Sequence, residues 1–386
     1  MTTMKDYMLQ EIEEQPKILK KLISEYKETI YEAVTDIVSK YSINKVILTG
    51  CGDSYCAALT NEHAFAKSGV DAHTVFPMEF SRYKYKILNY VDEHTLLIPI
   101  TVSGKTPRVI ETVHAAKSRG GHVLSITNNP ESAIAQLSDK FLYAKSSNIE
   151  TLKTASYEGE ISSKYVGYEH DVPQTKSYTA VQMTLQLMAM SLQKDPDYSE
   201  LEQIPTVVKK IINNTAIKSL AIEHVSSRQI YSASGPNYGN ALFGEFKMYE
   251  FSLPGFSKEL EEYCHTSYFV TEKGTSIMFI SPEGESLKRV EEISPVLKNT
   301  IKADPIVLSN KEPNFDLHTW IDIPFNGKEE FSIIPYGVVA PLYAYWIAKE
   351  KGLHVNTFRG GVEQEKYVEG SYHTIRKSNV KKDYSM

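Results

Sequence analysis

The sequence predicts an α/β protein with two domains, each a mostly parallel five-stranded sheet that has helices on both faces. From residue 45 to 143, short aliphatic segments alternate regularly with segments of helical spacing. Residues 229–252 repeat the order of strand, glycine loop and helix, which indicates a diverged internal duplication. The length of 386 residues also suits two domains of ordinary size.

The chain divides by pattern into four segments, which are N-terminal helices at 1–41, a first α/β domain at 42–200, a second at 201–350 and a C-terminal tail at 351–386. Apolar residues recur at helical spacing from Met8 to Ile30, and Pro16 is expected to divide two helices. The boundary between the α/β domains is placed in the polar segment 195–205, which ends at Pro205.

Individual elements follow from the apolar periodicity and from the glycines that end helices. In the first domain we expect strands at 45–49, 72–76, 95–100, 122–127 and 140–143, and helices at 54–68, 78–85, 106–119 and 131–136. In the second domain we expect strands at 229–233 and 275–280, and helices at 206–224 and 335–351.

Composition excludes several classes of protein. The net charge of −6, without a basic block, argues against a nucleic-acid partner. No apolar run is long enough to span a bilayer and no signal-peptide pattern is present, so we expect no membrane partner. Cys51, Cys56 and Cys264 have no metal-type spacing, which fits a cytoplasmic protein.

Two strand-to-helix loops carry the chemistry of the first domain. One lies within KVILTGCGDSYCAAL at 45–59, and the other within TLLIPITVSGKTPRVI at 95–110. In the second loop, Thr101, Ser103 and Thr106 place three hydroxyls around one glycine, which favours a small phosphate monoester. Ordinary turns with hydroxyl caps are the alternative interpretation. Two such loops favour a ligand, because ligands of open α/β sheets bind beyond the carboxyl ends of strands.

GCGDS at 50–54 and SGKT at 103–106 resemble the sugar isomerase (SIS) domain. The chain looks most similar to the isomerase half of glucosamine-6-phosphate synthase and to related hexosamine-phosphate deaminases and fructosamine deglycases. The resemblance implies a small-molecule phosphosugar ligand, a homodimer, and no metal or other cofactor. It also implies phosphate-binding roles for Ser54, Thr101, Ser103 and Thr106, whereas Val102 stands where the family has glutamine.

Two further segments resemble parts of the family that contact the sugar. Within EHDVPQTKSYTA at 169–180, the resemblance places Val172 and Gln174 beside the substrate, with Gln174 in place of a serine. Lys247 falls on an active-site lysine, although an ion pair with Glu250 on the helix surface is the plainer interpretation. Residues 144–170 are polar and aperiodic, which fits either a lid or a surface insertion.

The resemblance also implies three catalytic residues. ALFGEFKMYEFS aligns without gaps with the family, which places Glu250 on the glutamate that moves a proton between C1 and C2. Glu262 and His265 resemble the pair whose histidine opens the sugar ring, often in the site of a neighbouring subunit. Lys377, in the tail that completes the active site in the family, falls on a lysine that forms a Schiff base. By residue type alone, His265 would be structural and Lys377 a solvated charge.

The resemblance at these residues implies a phosphosugar aldose–ketose isomerase that deaminates a substrate like glucosamine 6-phosphate to fructose 6-phosphate and ammonia. The chain begins MTTMKDYM, without the terminal cysteine of a glutaminase domain, so we expect no glutamine-dependent synthesis. A fructosamine-6-phosphate deglycase, a plain hexose-6-phosphate isomerase and a non-catalytic phosphosugar-binding regulator are the alternatives.

Overall fold

The computed structural model describes residues 6–144, 146, 173–316 and 319–384. Contacts between residues divide the chain into two compact units. The first-sheet unit consists of the described residues of 18–171, 176–198 and 363–386, and the second-sheet unit consists of those of 1–17, 172–175 and 199–362. The predicted domain boundaries stay predictions. Val172 lies outside the described residues, as does the predicted lid segment apart from residues 144 and 146.

The first-sheet unit contains a five-stranded sheet in the order β2-β1-β3-β4-β5, and its paired neighbours are all parallel. Every residue of β3, and all but the first residue of β1 and β4, are buried, as expected for a parallel sheet covered on both faces. The strands are β1 (Lys45–Gly50), β2 (Asp71–Thr74), β3 (Thr95–Ile100), β4 (His122–Thr127) and β5 (Lys140–Tyr143).

Helices connect these strands and pack against them. Two of them begin with proline at the first position, where the missing N–H would have no intrahelical partner. The chain starts with α1 (Tyr7–Lys21), within which the division between the units falls, and continues through a π-helical segment at Leu22–Tyr26 to α2 (Lys27–Tyr41). The others are α3 (Asp53–Lys67), α4 (Pro77–Arg82), α5 (Pro107–Lys117), α6 (Ala133–Leu137) and α7 (Lys176–Met190).

The second-sheet unit contains another parallel five-stranded sheet, in the order β10-β9-β8-β6-β7. Read from the other edge, this is the strand order of the first sheet, so both sheets have the same topology. The strands are β6 (Gln229–Ala233), β7 (Gly255–Glu259), β8 (Ser276–Ile280), β9 (Asp304–Ser309) and β10 (Thr319–Asp322).

The remaining helices have the bounds α8 (Ser199–Ile212), α9 (Thr215–Glu223), α10 (Tyr238–Glu250), α11 (Leu260–His265), α12 (Glu285–Val296), α13 (Glu329–Gly337) and α14 (Val339–Glu350). In the first-sheet unit, α15 (Gln364–Ser371) is followed by a π-helical turn at Tyr372–Arg376. The predicted fold class is therefore confirmed, because the structure contains two parallel five-stranded sheets flanked by helices.

Proline positions were interpreted wrongly from the sequence. Pro16 lies within α1 and does not divide two helices, and Pro205 lies within α8 and not in a linker. Pro335, the predicted start of the last apolar helix, lies within α13. A proline inside a helix loses one hydrogen bond, but burial of the neighbouring apolar side chains offsets this loss. In α1, the buried residues Ile12 and Leu19 flank Pro16 on the same helix.

The sequence predicted no apolar run long enough to cross a bilayer, and among the described residues one helix is long and apolar enough by length and composition alone. Residues Glu329–Glu350, which comprise α13 and α14, form one such segment, but 94% of its apolar window is buried inside the structure. Core helices pass the same test, so this segment is weak evidence for a membrane span.

Candidate functional site

The two predicted loops begin side by side at the carboxyl edge of the first sheet. Gly50, the last residue of β1, pairs with Ile100, the last residue of β3. A Cβ atom on Gly50 would lie 2.7 Å from the Cβ atom of Ser54, so the start of α3 passes close to the strand end. Glycine at this position therefore allows Ser54 to lie against the end of β1.

Residues 101–106, called here the hydroxyl loop, follow β3. The Oγ1 atom of Thr101 lies 3.0 Å from Oγ1 of Thr106 and 3.5 Å from Oγ of Ser103. The backbone N–H of Lys105 donates to Ser103 Oγ at 3.4 Å. The structure therefore brings together three of the four predicted phosphate-binding hydroxyls, and the fourth, Ser54, follows the neighbouring strand.

Gly104 makes the tight turn of the hydroxyl loop possible. Its φ angle is +69°, a left-handed conformation that favours glycine, and its N–H donates to the Thr101 carbonyl at 3.0 Å. A Cβ atom here would lie 2.2 Å from both Cβ and Oγ of Ser132. The loop therefore packs closely against the segment that follows β4.

A buried carboxylate, not identified from the sequence, lies one helical turn beyond the hydroxyl loop. Glu111 has no solvent exposure and forms ion pairs with Arg108 and, at 2.7 Å, with Arg82. The described ionic partner of Arg82 is therefore Glu111. Arg108 also donates to Ser378, which lies 270 residues further along the chain. No local sequence signal could have revealed this contact.

In the second-sheet unit, Lys247 and Glu250 form an ion pair on α10. Nζ of Lys247 lies 2.7 Å from Oε2 of Glu250, and it donates to the Gln174 carbonyl at 2.9 Å. The ammonium group also lies 4.8 Å from the centre of the Phe243 ring. Lys247 has no solvent exposure while the Glu250 side chain is 21% exposed, so this is not the surface ion pair considered from the sequence.

A residue of α1 forms a hydrogen bond with the segment that carries Gln174. The N–H of Thr175 donates to Oε2 of Glu11 at 3.0 Å, and Thr175 itself is buried. The structure thus brings together Gln174, Lys247 and Glu250, three of the predicted residues.

His265 is the last residue of α11, and its side chain is 73% exposed. Its Nδ1 atom lies 2.8 Å from the Glu261 carbonyl oxygen, a contact within its own helix. Glu259 caps this helix and accepts from the N–H groups of Glu261 and Glu262 at 2.8 and 3.2 Å. The described contacts of His265 are therefore local and do not include Lys247 or Glu250.

Lys377 is exposed in the first-sheet unit and lies between two residues that contact the region of the hydroxyl loop. Arg376 donates to Ser103, and Ser378 accepts from Arg108. Across the described parts of the chain, no group of three or more His, Cys, Asp or Glu residues could hold a metal ion. The clustered hydroxyls of residues 101–106 thus lie in the first-sheet unit, and the ion pair of Lys247 and Glu250 lies in the second.

The structure is an α/β protein with two parallel sheets, and a loop with three clustered hydroxyl groups follows strand β3. Residues 41–159 match the SIS domain family, so the recognition of a SIS domain from GCGDS and SGKT is confirmed for this part of the chain. Over 359 residues it is 29% identical to the isomerizing glutamine–fructose-6-phosphate aminotransferase of Pyrococcus horikoshii, a match that covers 90% of this chain and 55% of that protein.

Solved structures agree with the fold. The C-terminal domain of a glucosamine–fructose-6-phosphate aminotransferase from Francisella tularensis superposes with a TM-score of 0.72 at 20% identity, covering 92% of this chain and 99% of that one. A glucosamine-6-phosphate deaminase from Thermotoga maritima superposes with a TM-score of 0.64 at 18% identity, covering 89% and 95%. The chain spans only about half the length of its curated relative, so the activity of that whole protein does not transfer directly.

Proposed function

We propose that this chain is a phosphosugar aldose–ketose isomerase that releases ammonia from an amino-hexose 6-phosphate. The observation that carries the proposal is the hydroxyl loop, in which Thr101, Ser103 and Thr106 converge beyond the end of β3. Hydroxyl donors at a helix N-terminus suit a phosphate monoester, because the helix dipole and the backbone N–H groups favour an anion. The names of the relatives and structural neighbours support a phosphosugar as the substrate class.

Glu250 is proposed as the group that moves the proton. In an open-chain 2-amino aldose, a base removes the proton at C2 and a proton is returned at C1, which leaves an imine at C2. Water then adds at C2 and ammonia leaves, so that the product is the 2-ketose phosphate. A carboxylate that is only 21% exposed and paired with Lys247 is held in place for such a transfer.

The other predicted roles are proposals that follow from the resemblance. His265 would assist ring opening, and Lys377 would form the Schiff base with the open-chain sugar. The exposure of both side chains leaves them accessible to a substrate or to a second copy of the chain. A homodimer and a cytoplasmic location are proposed on the same basis.

The direct test is ammonia release from glucosamine 6-phosphate, measured beside a coupled isomerase assay on glucose 6-phosphate and fructose 6-phosphate. We expect ammonia to be released together with fructose 6-phosphate in equal amounts. Interconversion of the neutral sugars alone would replace this proposal with a plain hexose-6-phosphate isomerase. Fructosamine 6-phosphate is assayed in parallel, and turnover of that substrate alone would replace the proposal with a deglycase.

The role of Glu250 is tested by Glu250→Gln, which keeps the shape of the side chain and removes its basicity. We expect kcat to fall by about 10²- to 10⁴-fold, the usual contribution of general acid–base catalysis. Glu245→Gln is the matched control, because Glu245 lies on the same helix and accepts hydrogen bonds from Tyr249 and Ser257. Full turnover in the Glu250→Gln protein would contradict the proton-transfer role.

A non-catalytic phosphosugar-binding regulator is the second candidate. One observation favours it: Lys247 is enclosed by Phe243, Gln174 and Glu250, which is an arrangement that a structural ion pair would also have. Saturable binding of glucosamine 6-phosphate with no turnover in any of the assays above would favour this candidate.

A further inference from the structure

A cationic side chain from the far end of the chain contacts the hydroxyl loop. Nη1 of Arg376 donates to Oγ of Ser103 at 3.4 Å, across a separation of 273 residues in sequence. Arg376 is the last residue of the π-helical turn that follows α15, and both it and Ser103 belong to the first-sheet unit. The contact therefore lies within one compact unit.

The contact between Arg376 and Ser103 brings a positive charge to the hydroxyl loop. A phosphate monoester carries about 1.5 to 2 negative charges near neutral pH. The hydroxyls of Thr101, Ser103 and Thr106 are neutral donors, so they do not balance that charge. A guanidinium group presents a planar fork of N–H donors that matches two phosphate oxygens. Arg376 supplies such a group at the hydroxyl that has been assigned to phosphate binding.

The residues that follow Arg376 are fixed to the same unit. Arg108 donates through Nη2 to Oγ of Ser378 and, at 2.8 Å, to the Asn379 carbonyl. Arg108 is itself held by the buried carboxylate of Glu111. Because Ser378 is two residues from Arg376, these contacts restrict where the Arg376 guanidinium can lie.

Tyr384 holds the end of this C-terminal segment, defined as residues 376–384. Its hydroxyl donates to the Glu111 carbonyl oxygen at 3.3 Å, and its ring lies edge-on to Tyr85 with centroids 4.9 Å apart. Tyr384 is only 6% exposed and packs in the core that includes Ile47 and Val113, with Val380 against the same cluster. The C-terminal segment is thus a packed part of the unit.

We propose that Arg376 binds the phosphate group of a ligand together with the hydroxyl loop, and that Arg108 positions Arg376. This inference rests on the proposed function, which supplies a phosphorylated ligand for the loop. Its consequence is that the segment bearing Lys377 and the phosphate-binding loop are linked through one anion, so that phosphate binding favours the docked segment.

The test is calorimetric titration of the full chain with inorganic phosphate, with glucosamine 6-phosphate, and with unphosphorylated glucosamine as the negative control. For Arg376→Gln we expect the Kd for phosphate to rise by about 10-fold or more, as for loss of a hydrogen bond to a charged group. Arg376→Lys keeps the charge without the fork, so part of the loss is restored. Lys382→Gln removes the same charge from an exposed position of the same segment and serves as the matched control.

Arg108→Gln separates positioning from binding. If Arg108 acts through Arg376, its variant raises the Kd for phosphate, and the Arg108→Gln/Arg376→Gln double variant is no weaker than Arg376→Gln alone. Full additivity of the two losses would contradict the positioning role. Melting temperatures measured without ligand show whether each variant folds. If the Arg108→Gln proteins do not fold, the titration of Arg376→Gln alone tests the phosphate-binding role of Arg376.

The outcomes distinguish this inference from the function on which it rests. Phosphate binding that is unchanged in Arg376→Gln and lost in Ser103→Ala overturns the role of Arg376 and leaves the hydroxyl loop as the phosphate site. No binding of phosphate or glucosamine 6-phosphate by the unmodified chain overturns both.

Discussion

The ammonium group of Lys247, which has no solvent exposure, lies 2.7 Å from the carboxylate of Glu250 on the same helix. The same spacing and distance occur at the exposed pair Glu285 and Lys288 on α12, whose side chains are 91% and 68% exposed. The two pairs share the i,i+3 spacing and the N–O distance, although lysine comes first in one and glutamate in the other, and they differ in their access to water. They show why the interpretation of an i,i+3 pair depends on the fold around it.

Lys247→Met is expected to destabilise the protein strongly, because it leaves the Glu250 carboxylate and the Gln174 carbonyl without the ammonium donor. Removing one partner of a buried ion pair costs about 3–5 kcal/mol of unfolding free energy, and the partial exposure of Glu250 favours the lower end. Chemical denaturation followed by circular dichroism measures this loss.

Lys288→Met is the matched control, with an expected loss of about 1 kcal/mol or less, since exposed pairs contribute little. Lys247→Met/Glu250→Leu removes both charges, so it should be more stable than Lys247→Met alone. Equal, small losses for Lys247→Met and Lys288→Met would mean that water reaches Lys247 in solution and that its ion pair behaves as an exposed one.

Much of the fold could be predicted from sequence because the strands are continuous aliphatic runs. The predicted strands 95–100, 122–127 and 140–143 match β3, β4 and β5 residue for residue. Prolines were misleading because their local preference was outweighed by burial, as for Pro205 inside α8. Local patterns cannot reveal how buried a helix is, and burial explains why α1 and α8 continue through their prolines.

The candidate site could be predicted only where its residues are adjacent in sequence. Thr101, Ser103 and Thr106 lie within one loop, so their chemistry was recognisable. The contact of Arg376 with Ser103 spans 273 residues and depends on how the C-terminal segment packs. The surroundings of Lys247 likewise include Phe243 of its own helix and Gln174, which lies 73 residues earlier in the sequence.

Gly104→Ala is expected to disrupt the hydroxyl loop. A methyl group would meet Ser132 at 2.2 Å, and the φ angle of +69° is itself unfavourable for alanine. Because one of these atoms must move, we expect phosphate binding to be lost, with a fall of about 2 kcal/mol or more in unfolding free energy. Titration with inorganic phosphate and chemical denaturation measure the two effects.

Gly69→Ala provides the control for backbone strain alone, because Gly69 has a φ angle of +93° and a methyl group at this position would meet no atom within 4 Å. Its expected cost is about 1–2 kcal/mol, with phosphate binding retained. Retained phosphate affinity in the Gly104→Ala protein would mean that the loop tolerates displacement and that its tight turn is not required for binding.

Glu259 gives a pH-dependent contribution to the stability of α11, the helix that ends at His265. Burial alone would raise the pKa of the Glu259 carboxyl, but hydrogen bonds from the Ser234 hydroxyl and from the first N–H groups of α11 outweigh it and hold the pKa below its usual 4.5. A lowered pKa in the folded state means that the contribution is complete above pH 4.5 and is lost as pH falls through the folded-state pKa. At neutral pH, Glu259→Ala should therefore cost about 1 kcal/mol of unfolding free energy, as for other helix caps.

The measurement is the unfolding free energy of both proteins from pH 7 to pH 3, with Glu312→Ala as the control for the change in net charge. The difference caused by Glu259→Ala should shrink as the pH falls below 4.5, whereas a difference that stays constant to pH 3 would contradict the lowered pKa and assign the cost to lost packing.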